Sequence, residues 1–400
     1  MTDEFETGVR EWVADNLPDA LVGARIDMYG VVTGDPAVKD AFELWRQRLA
    51  AQGWGAPTWP REYGGAGLTD AQAKIVNRAI ARAGSMNPIP YLAGMGVTMV
   101  GPTLLEYGTT EQKARHLPGM ASGEVRWCLG LSEPNAGSDL ASLTTSAELD
   151  AEGWVVNGQK TWTSGADKSQ WCGVLVRTDR SAAKRNGISF LMLPMHQPGI
   201  DTRPIALIAG ESPFCETFFT DARAREDDLL GALNDGWSVI KRLLQHERQS
   251  QTSAPATSTE VEPLPAVAKR YRGVNADGTL ADSDLRSRLA DHLMDTAAHE
   301  LTIARIINDA RGGNVEVSAT ASILKNSATD VAQGRSELLL EIMGNQGVGW
   351  EPGEYSEQEA HAVREWLGGK AMSIYGGSYE VQKNIISKNI LGLPETTQKG

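Results

Sequence analysis

Along the first third of the chain, apolar residues recur at helical spacing. Phe42, Trp45 and Leu49 follow Asp35-Pro36 and precede Gly53, a start and a stop that predict one helix. A second is predicted from Thr69, where Thr69 and Gln72 have capping-box spacing, to about Gly84, and the chain to about Val125 reads as mostly helical. From Trp127 to about Asp227 the pattern changes to short runs rich in Val, Thr, Trp and Phe, divided by Gly, Pro and Asp, which predict strands. Trp154 to Trp162 carries Asn157-Gly158 at its centre and predicts a hairpin with a type I′ turn. Trp171 to Arg177, Gly187 to Pro194 and Phe214 to Asp221 predict further strands. After Asn234-Asp235-Gly236 the helical period returns, at Leu285, Leu289 and Leu293 behind Ser283, and from Ser318 to a stop near Gly344. Between them, Gln249 to Ser283 reads as a partly irregular excursion.

Helices, strands, then helices make an α+β chain with three expected domains: helical 1–125, β 126–232 and a helical bundle 233–400. The length of 400 residues and a composition about half apolar, counting glycine, suit a folded protein with a large core. With 38 Lys and Arg against 51 Asp and Glu the net charge is −13, without a basic stripe, which argues against nucleic acid or anionic membrane as partners. Cys128, Cys172 and Cys215 form no C-x-x-C pair, and the amino terminus is acidic, so a cytoplasmic protein without a secretory signal is expected. The uncharged run Ala83 to Leu105 is interrupted by Pro and Gly and reads as a buried, turn-rich segment rather than a membrane span.

Common catalytic motifs fail on spacing. In Gly153-x-x-x-x-Gly158 the lysine, Lys160, is displaced by one residue from a phosphate loop. His246-Glu247 and His299-Glu300 lack the second histidine of a zinc protease helix, and neither a G-x-S-x-G elbow nor a G-x-G-x-x-G after a strand occurs. What remains is the small-residue cluster Leu129 to Asp139 at the helix-to-strand junction, where backbone N–H groups and hydroxyls have room to approach a ligand. Composition by itself favours the plainer reading, a glycine-rich surface turn.

The chain resembles the acyl-CoA dehydrogenase family over nearly its whole length. The marks are Trp59-Pro60-x-Glu62-Tyr63-Gly64-Gly65-x-Gly67, Gly108-Thr-x-Glu111-Gln112-Lys113, Ser132-Glu-Pro-Asn-Ala-Gly-Ser-Asp139, Asn157-Gly-Gln-Lys160 with Trp162-Thr-Ser164, and Ile374-Tyr375-Gly-Gly-Ser378, in that order. The resemblance implies an amino-terminal helical domain, a middle β-barrel-like domain and a carboxy-terminal four-helix bundle, with FAD between the last two. It implies α,β-dehydrogenation of an acyl-CoA thioester to the trans-2-enoyl-CoA, a carboxylate removing the α-proton while the β-hydride passes to flavin N5, as in fatty acid or steroid side-chain β-oxidation. By position, Leu131, Ser132, Gly137, Ser138, Trp162, Ser164, Ser378 and Glu380 would bind the cofactor, and Ser138 and Arg248 the substrate.

The usual glutamate of Ile-Tyr-Glu-Gly-Thr is Gly376 here, whose backbone N–H would still serve the thioester oxygen. A smaller set of relatives carries the base on the first bundle helix in a Leu-x-x-Glu-Arg context, which Leu244 to Arg248 matches, so the expected base is Glu247. The family's Arg-x-x-Phe-Gly and Gln-x-x-Gly-Gly-x-Gly stretches, which reach a neighbouring subunit's FAD, read Arg272-Gly-Val-Asn275-Ala276 and Glu341 to Gly347 here. A homotetramer and an α2β2 heterotetramer of the steroid side-chain type are both open, with an electron-transfer flavoprotein as acceptor. The alternative to an enzyme is a non-catalytic partner subunit of a heteromeric acyl-CoA dehydrogenase.

Overall fold

The computed structural model describes residues 2–24, 26–27, 30–31, 35–210, 212–253, 262–311, 317–351 and 353–394. They form two compact units, residues 1–205 with 213–258, and 206–212 with 259–400.

The first unit opens with α1 (Thr2–Asn16), the short pair β1 (Ile26–Asp27) and β2 (Gly30–Val31), and α2 (Pro36–Ala51). As expected, Asp35 caps α2, its carboxylate accepting from the Ala37 N–H at 2.9 Å, and Phe42, Trp45 and Leu49 are buried. α3 (Asp70–Arg82) starts on the Thr69–Gln72 capping box. α4 (Ile89–Leu92), α5 (Gly101–Tyr107) and α6 (Thr110–Ser122) follow, a π-helical turn at Gly96–Val100 joining the first two. No helix among the described residues is long and apolar enough to cross a membrane.

The sheet comprises β3 (Trp127–Gly130), β4 (Ser146–Asp150), β5 (Gly153–Ser164), β6 (Trp171–Arg177), β7 (Ile188–Pro194), β8 (Ile200–Pro204), β9 (Phe214–Ala224) and β10 (Leu229–Leu230). The order is β10-β7-β6-β4-β5-β9-β8, with β3 parallel to β6. β6 and β7 are buried along nearly their whole length, as continuous apolar runs covered on both faces must be. The predicted hairpin at Asn157-Gly158 does not form. β5 runs straight through that dipeptide, and the chain reverses earlier, between Asp150 and Gly153. The pair instead serves a close crossing and a bulge. A Cβ on Gly158 would lie 2.6 Å from Thr145 Oγ1, and the Asn157 amide exchanges hydrogen bonds of 3.0 and 2.9 Å with Asp221, where β9 carries an extra residue at positive φ.

α7 (Gly236–Ser253) buries Val239, Ile240 and Leu243 in a core with Trp59, Met99, Leu104, Trp127, Phe190 and Met192, joining helices to one sheet face. Removing these apolar surfaces from water, at about 25 cal/mol per Å², is the main force holding α7 to that face.

The second unit holds α8 (Leu264–Arg272), α9 (Ser283–Arg311), α10 (Val317–Met343), α11 (Glu357–Gly369) and α12 (Tyr379–Asn389), around Leu264, Val267, Leu285, Leu289, Leu338 and Ile342. Two expectations change here. The excursion at 249–283 contains the end of α7 and all of α8, while 254–261 lie outside the described residues. Leu293 is exposed, because each four-residue step turns about 40° round a helix and the stripe begun at Leu285 has left the core two steps later.

Candidate active site

β3 ends at Gly130 and delivers Leu131 and Ser132 beside β5. The Thr161 N–H donates to the Ser132 carbonyl at 2.9 Å, joining the loop to the strand. Between the pairs Lys160–Thr217 and Thr163–Cys215, β5 has one residue more than β9. That bulge puts Trp162 in the left-handed region at φ +60° and turns its indole outward, 53% exposed and edge-on to Phe214 at 6.0 Å. Leu131, Ser132 and Ser164 are half-buried. Reciprocal bonds between the Glu133 and Ala136 backbones close a turn over Pro134-Asn135; Gly137 and Ser138 lie exposed just beyond it, and Asp139 pairs with Lys184 at 2.8 Å.

Beneath this shelf lies a pair to which no role was assigned from sequence. Lys160 is fully buried; its Nζ donates to Glu133 Oε1 at 2.9 Å and to the Leu131 carbonyl at 3.1 Å. Glu133, 6% exposed, also accepts from the Thr144 N–H, the Thr144 hydroxyl and the Thr145 N–H at 2.7–2.8 Å. Gly130 makes room for the lysine stem: a Cβ there would stand 3.2 Å from Lys160 Cγ and 3.3 Å from Cys172 Sγ. Burial works against the Glu133 charge, but the ammonium and the Thr144 and Thr145 donors overcome it and hold the carboxyl down to about 2. Burial also lowers Lys160, to about 8, with Glu133 opposing. Both residues lie inside recognisable motifs, but nothing along the chain signals that they meet.

On α7, Glu247 is half-buried and continues the face of Ile240, Leu243 and Leu244 at spacings of seven, four and three. One residue earlier, His246 Nε2 lies 3.2 Å from Glu106, which Arg242 also grips with two bonds of 2.6 Å; the guanidinium holds the Glu106 carboxyl below its ordinary range. The Arg248 side chain lies outside the described residues.

In the second unit, Gly376 is exposed at φ +61°, and its carbonyl accepts from the buried Gln382 amide at 2.8 Å. Ser378 is the N-cap of α12, its hydroxyl accepting from the Val381 N–H at 3.3 Å, and Glu380 stands exposed in the first turn. The same unit brings the two stretches expected at a neighbour's cofactor against each other. The Arg272 guanidinium donates to the Glu341 carbonyl, and the Glu341 carboxylate is gripped by Arg288 through two 2.5 Å bonds.

Comparison with known proteins now decides the family. Profiles described as acyl-CoA dehydrogenase N-terminal, middle and C-terminal domains match residues 3–124, 128–222 and 234–391. The chain belongs to the acyl-CoA dehydrogenase family. It is 36% identical over 397 residues to the acyl-CoA dehydrogenase IpdE1 of Mycobacterium tuberculosis (strain ATCC 25618 / H37Rv), covering 98% of each chain. Among solved structures it resembles the Tcur3481-Tcur3483 steroid ACAD at a TM-score of 0.77 and 27% identity, covering 98% of each chain. It also resembles a chain of the ChsE4-ChsE5 complex from Mycobacterium tuberculosis at 0.75 and 28%, covering 99% and 98%. Acyl-CoA dehydrogenases are FAD-binding flavoproteins, and this one is an FAD-dependent oxidoreductase. The shelf suits that cofactor: an indole held outward, a half-buried leucine and two hydroxyl-bearing residues match the flat apolar face and polar edge of a flavin ring.

Proposed function

We propose that this acyl-CoA dehydrogenase removes the α-proton of its thioester substrate with Glu247 and releases the trans-2-enoyl-CoA. The observation that carries the reading is the place of Glu247, half-buried on the core-facing side of α7 in line with Ile240, Leu243 and Leu244, while Gly376 offers no carboxylate. A partly desolvated carboxylate is a stronger base than one in water, which weak α-proton acidity requires. Bound FAD supplies the two-electron acceptor. Leu131, Ser132, Trp162 and Ser164 seat its ring, Gly137, Ser138, Ser378 and Glu380 serve its polar parts, and Ser138 and Arg248 serve the substrate. The Gly376 N–H stabilises negative charge on the thioester oxygen, and the Gln382 bond to the Gly376 carbonyl anchors the next peptide along the chain. Glu247→Gln should keep FAD and acyl-CoA binding and lower kcat by about 10²–10⁴-fold, the range of general base catalysis. Retention of most activity would move the base elsewhere.

We infer a steroid or similarly bulky acyl group, a reading supported by likeness to a structure titled as a steroid ACAD. An α2β2 heterotetramer with a related subunit is favoured over a homotetramer by the Arg272–Glu341–Arg288 cluster: an acid stands where the family carries glutamine, and its partners come from its own chain. The exposed Trp162 suits docking of an electron-transfer flavoprotein, and three buried free cysteines suit the cytoplasm. Purification of the chain alone as a fully flavinated tetramer would remove the heteromeric arrangement.

A further inference from the structure

A lysine buried to zero exposure on a sheet is costly, and its acid partner is as deeply placed. The pair does more than neutralise itself. Lys160 spends one of its donors on the Leu131 carbonyl, Glu133 spends its remaining acceptor sites on Thr144 and Thr145, and Gly130 is empty of side chain where the lysine stem passes. Two residues beyond Lys160 is Trp162, and between them Thr161 bonds Ser132. One ammonium therefore ties together both edges of the shelf: the 131–133 loop and the bulge on β5.

We propose that Lys160 is a positioning residue for the cofactor, clamping Leu131 and Ser132 to the Trp162 bulge so that the seat of the flavin ring is formed before FAD arrives. The inference rests on the proposed role of Leu131, Ser132 and Trp162 as that seat. A preorganised seat avoids the ordering cost of binding, so losing the clamp weakens FAD even when the fold is intact. Lys160 itself touches no cofactor in this account and acts through the Leu131 carbonyl and the Thr161–Ser132 bond.

The test compares wild type with Lys160→Met and the double variant Lys160→Met/Glu133→Gln, in which no buried charge is left alone. The readouts are thermal midpoint, FAD affinity on reconstitution, fine structure of the visible flavin band, and hydrogen exchange of the Thr161 amide against that of Val155, farther back on the same strand. The double variant should recover much of the thermal midpoint lost by Lys160→Met. It should still exchange Thr161 at least about tenfold faster than wild type with Val155 unchanged, bind FAD at least about tenfold more weakly, and blur the flavin band. Gly130→Ala, which crowds the lysine stem without removing a charge, gives an independent arm with smaller shifts in the same direction. A wild-type rate of exchange at Thr161 in both the double variant and Gly130→Ala overturns the clamp. Faster exchange with unchanged FAD affinity overturns the shelf as the ring's seat and leaves the acyl-CoA dehydrogenase assignment standing.

Discussion

The shelf at 131–133 and 160–162 and the loop at 374–380 are held in opposite ways. In the first, a buried ion pair with five further hydrogen bonds and a bulge between paired strands hold the segment. In the second, Ile374, Tyr375 and Gly376 are exposed: the Ile374 and Tyr375 N–H groups donate to the Ala371 carbonyl, the Gln382 amide donates to the Gly376 carbonyl, Ser378 caps α12, and the Tyr379 hydroxyl donates to Asp330. Strain of the kind seen at Trp162 persists only where surroundings over-determine it, so the aromatic at positive φ belongs to the sheet and the glycines at positive φ belong to the loop. The shelf is held by a buried network, and the loop by separate bonds at its exposed surface.

The sharpest way to break this contrast is at Lys160. Lys160→Met leaves Glu133 buried without its cation and should cost about 3–5 kcal/mol in chemical denaturation. A loss below about 1 kcal/mol would mean that water reaches the pair and that the shelf is no firmer than the loop.

Acid should discriminate next. Glu133 titrates at about 2 in the folded chain against 4.5 free, so the stability it contributes is present above pH 4.5 and is lost as pH falls toward 2. His116, packed edge-on against Trp127 and Trp171, is held by burial at about 4 against 6.5. The unfolded chain takes up that proton first, so stability also falls as pH drops from 6.5 to 4. Each effect reaches about 3 kcal/mol at full extent. Unfolding free energy measured from pH 7 to pH 3 should therefore decline across both windows; a flat profile would contradict the burial of both groups.

The loop should respond more gently. Ser378→Ala removes the N-cap of α12 and should cost about 1 kcal/mol in thermal or denaturant unfolding of the FAD-free chain. Gln382→Ala removes one neutral bond to the Gly376 carbonyl, also worth about 1 kcal/mol. Its larger expression should be kinetic, a lower kcat without weaker FAD binding, because it anchors the peptide next to the one that carries the proposed thioester donor. Equal damage to FAD affinity from Gln382→Ala and the Lys160 double variant would erase the distinction between the two regions.

Much of the fold was legible because its signals are local. Asp35-Pro36, the Thr69–Gln72 box and the apolar runs at 171–177 and 188–194 each act within one element, and the structure forms each as read. Asn157-Gly158 misled because the same dipeptide serves a tight turn, a close crossing and a bulge, and only the partner strand's register decides among them. Ser146–Asp150 and Ile200–Pro204 were not predicted as strands, being short and rich in polar residues. The candidate site divides similarly. Trp162, Ser132 and Glu247 could be picked out from motif context, whereas the link from Lys160 to Glu133, 27 residues away, exists only after β3 and β5 are side by side.

The most direct test of the whole account is the visible spectrum of the purified chain, alone and with any subunit that copurifies with it, during anaerobic addition of straight, branched and steroid acyl-CoAs. The account predicts a flavin band that is bleached most completely by the steroid thioesters, with the enoyl-CoA recovered in equal amount, and a band that persists under the same thioesters in Glu247→Gln. A flavin-loaded protein that no acyl-CoA bleaches, with or without a copurifying subunit, would contradict it.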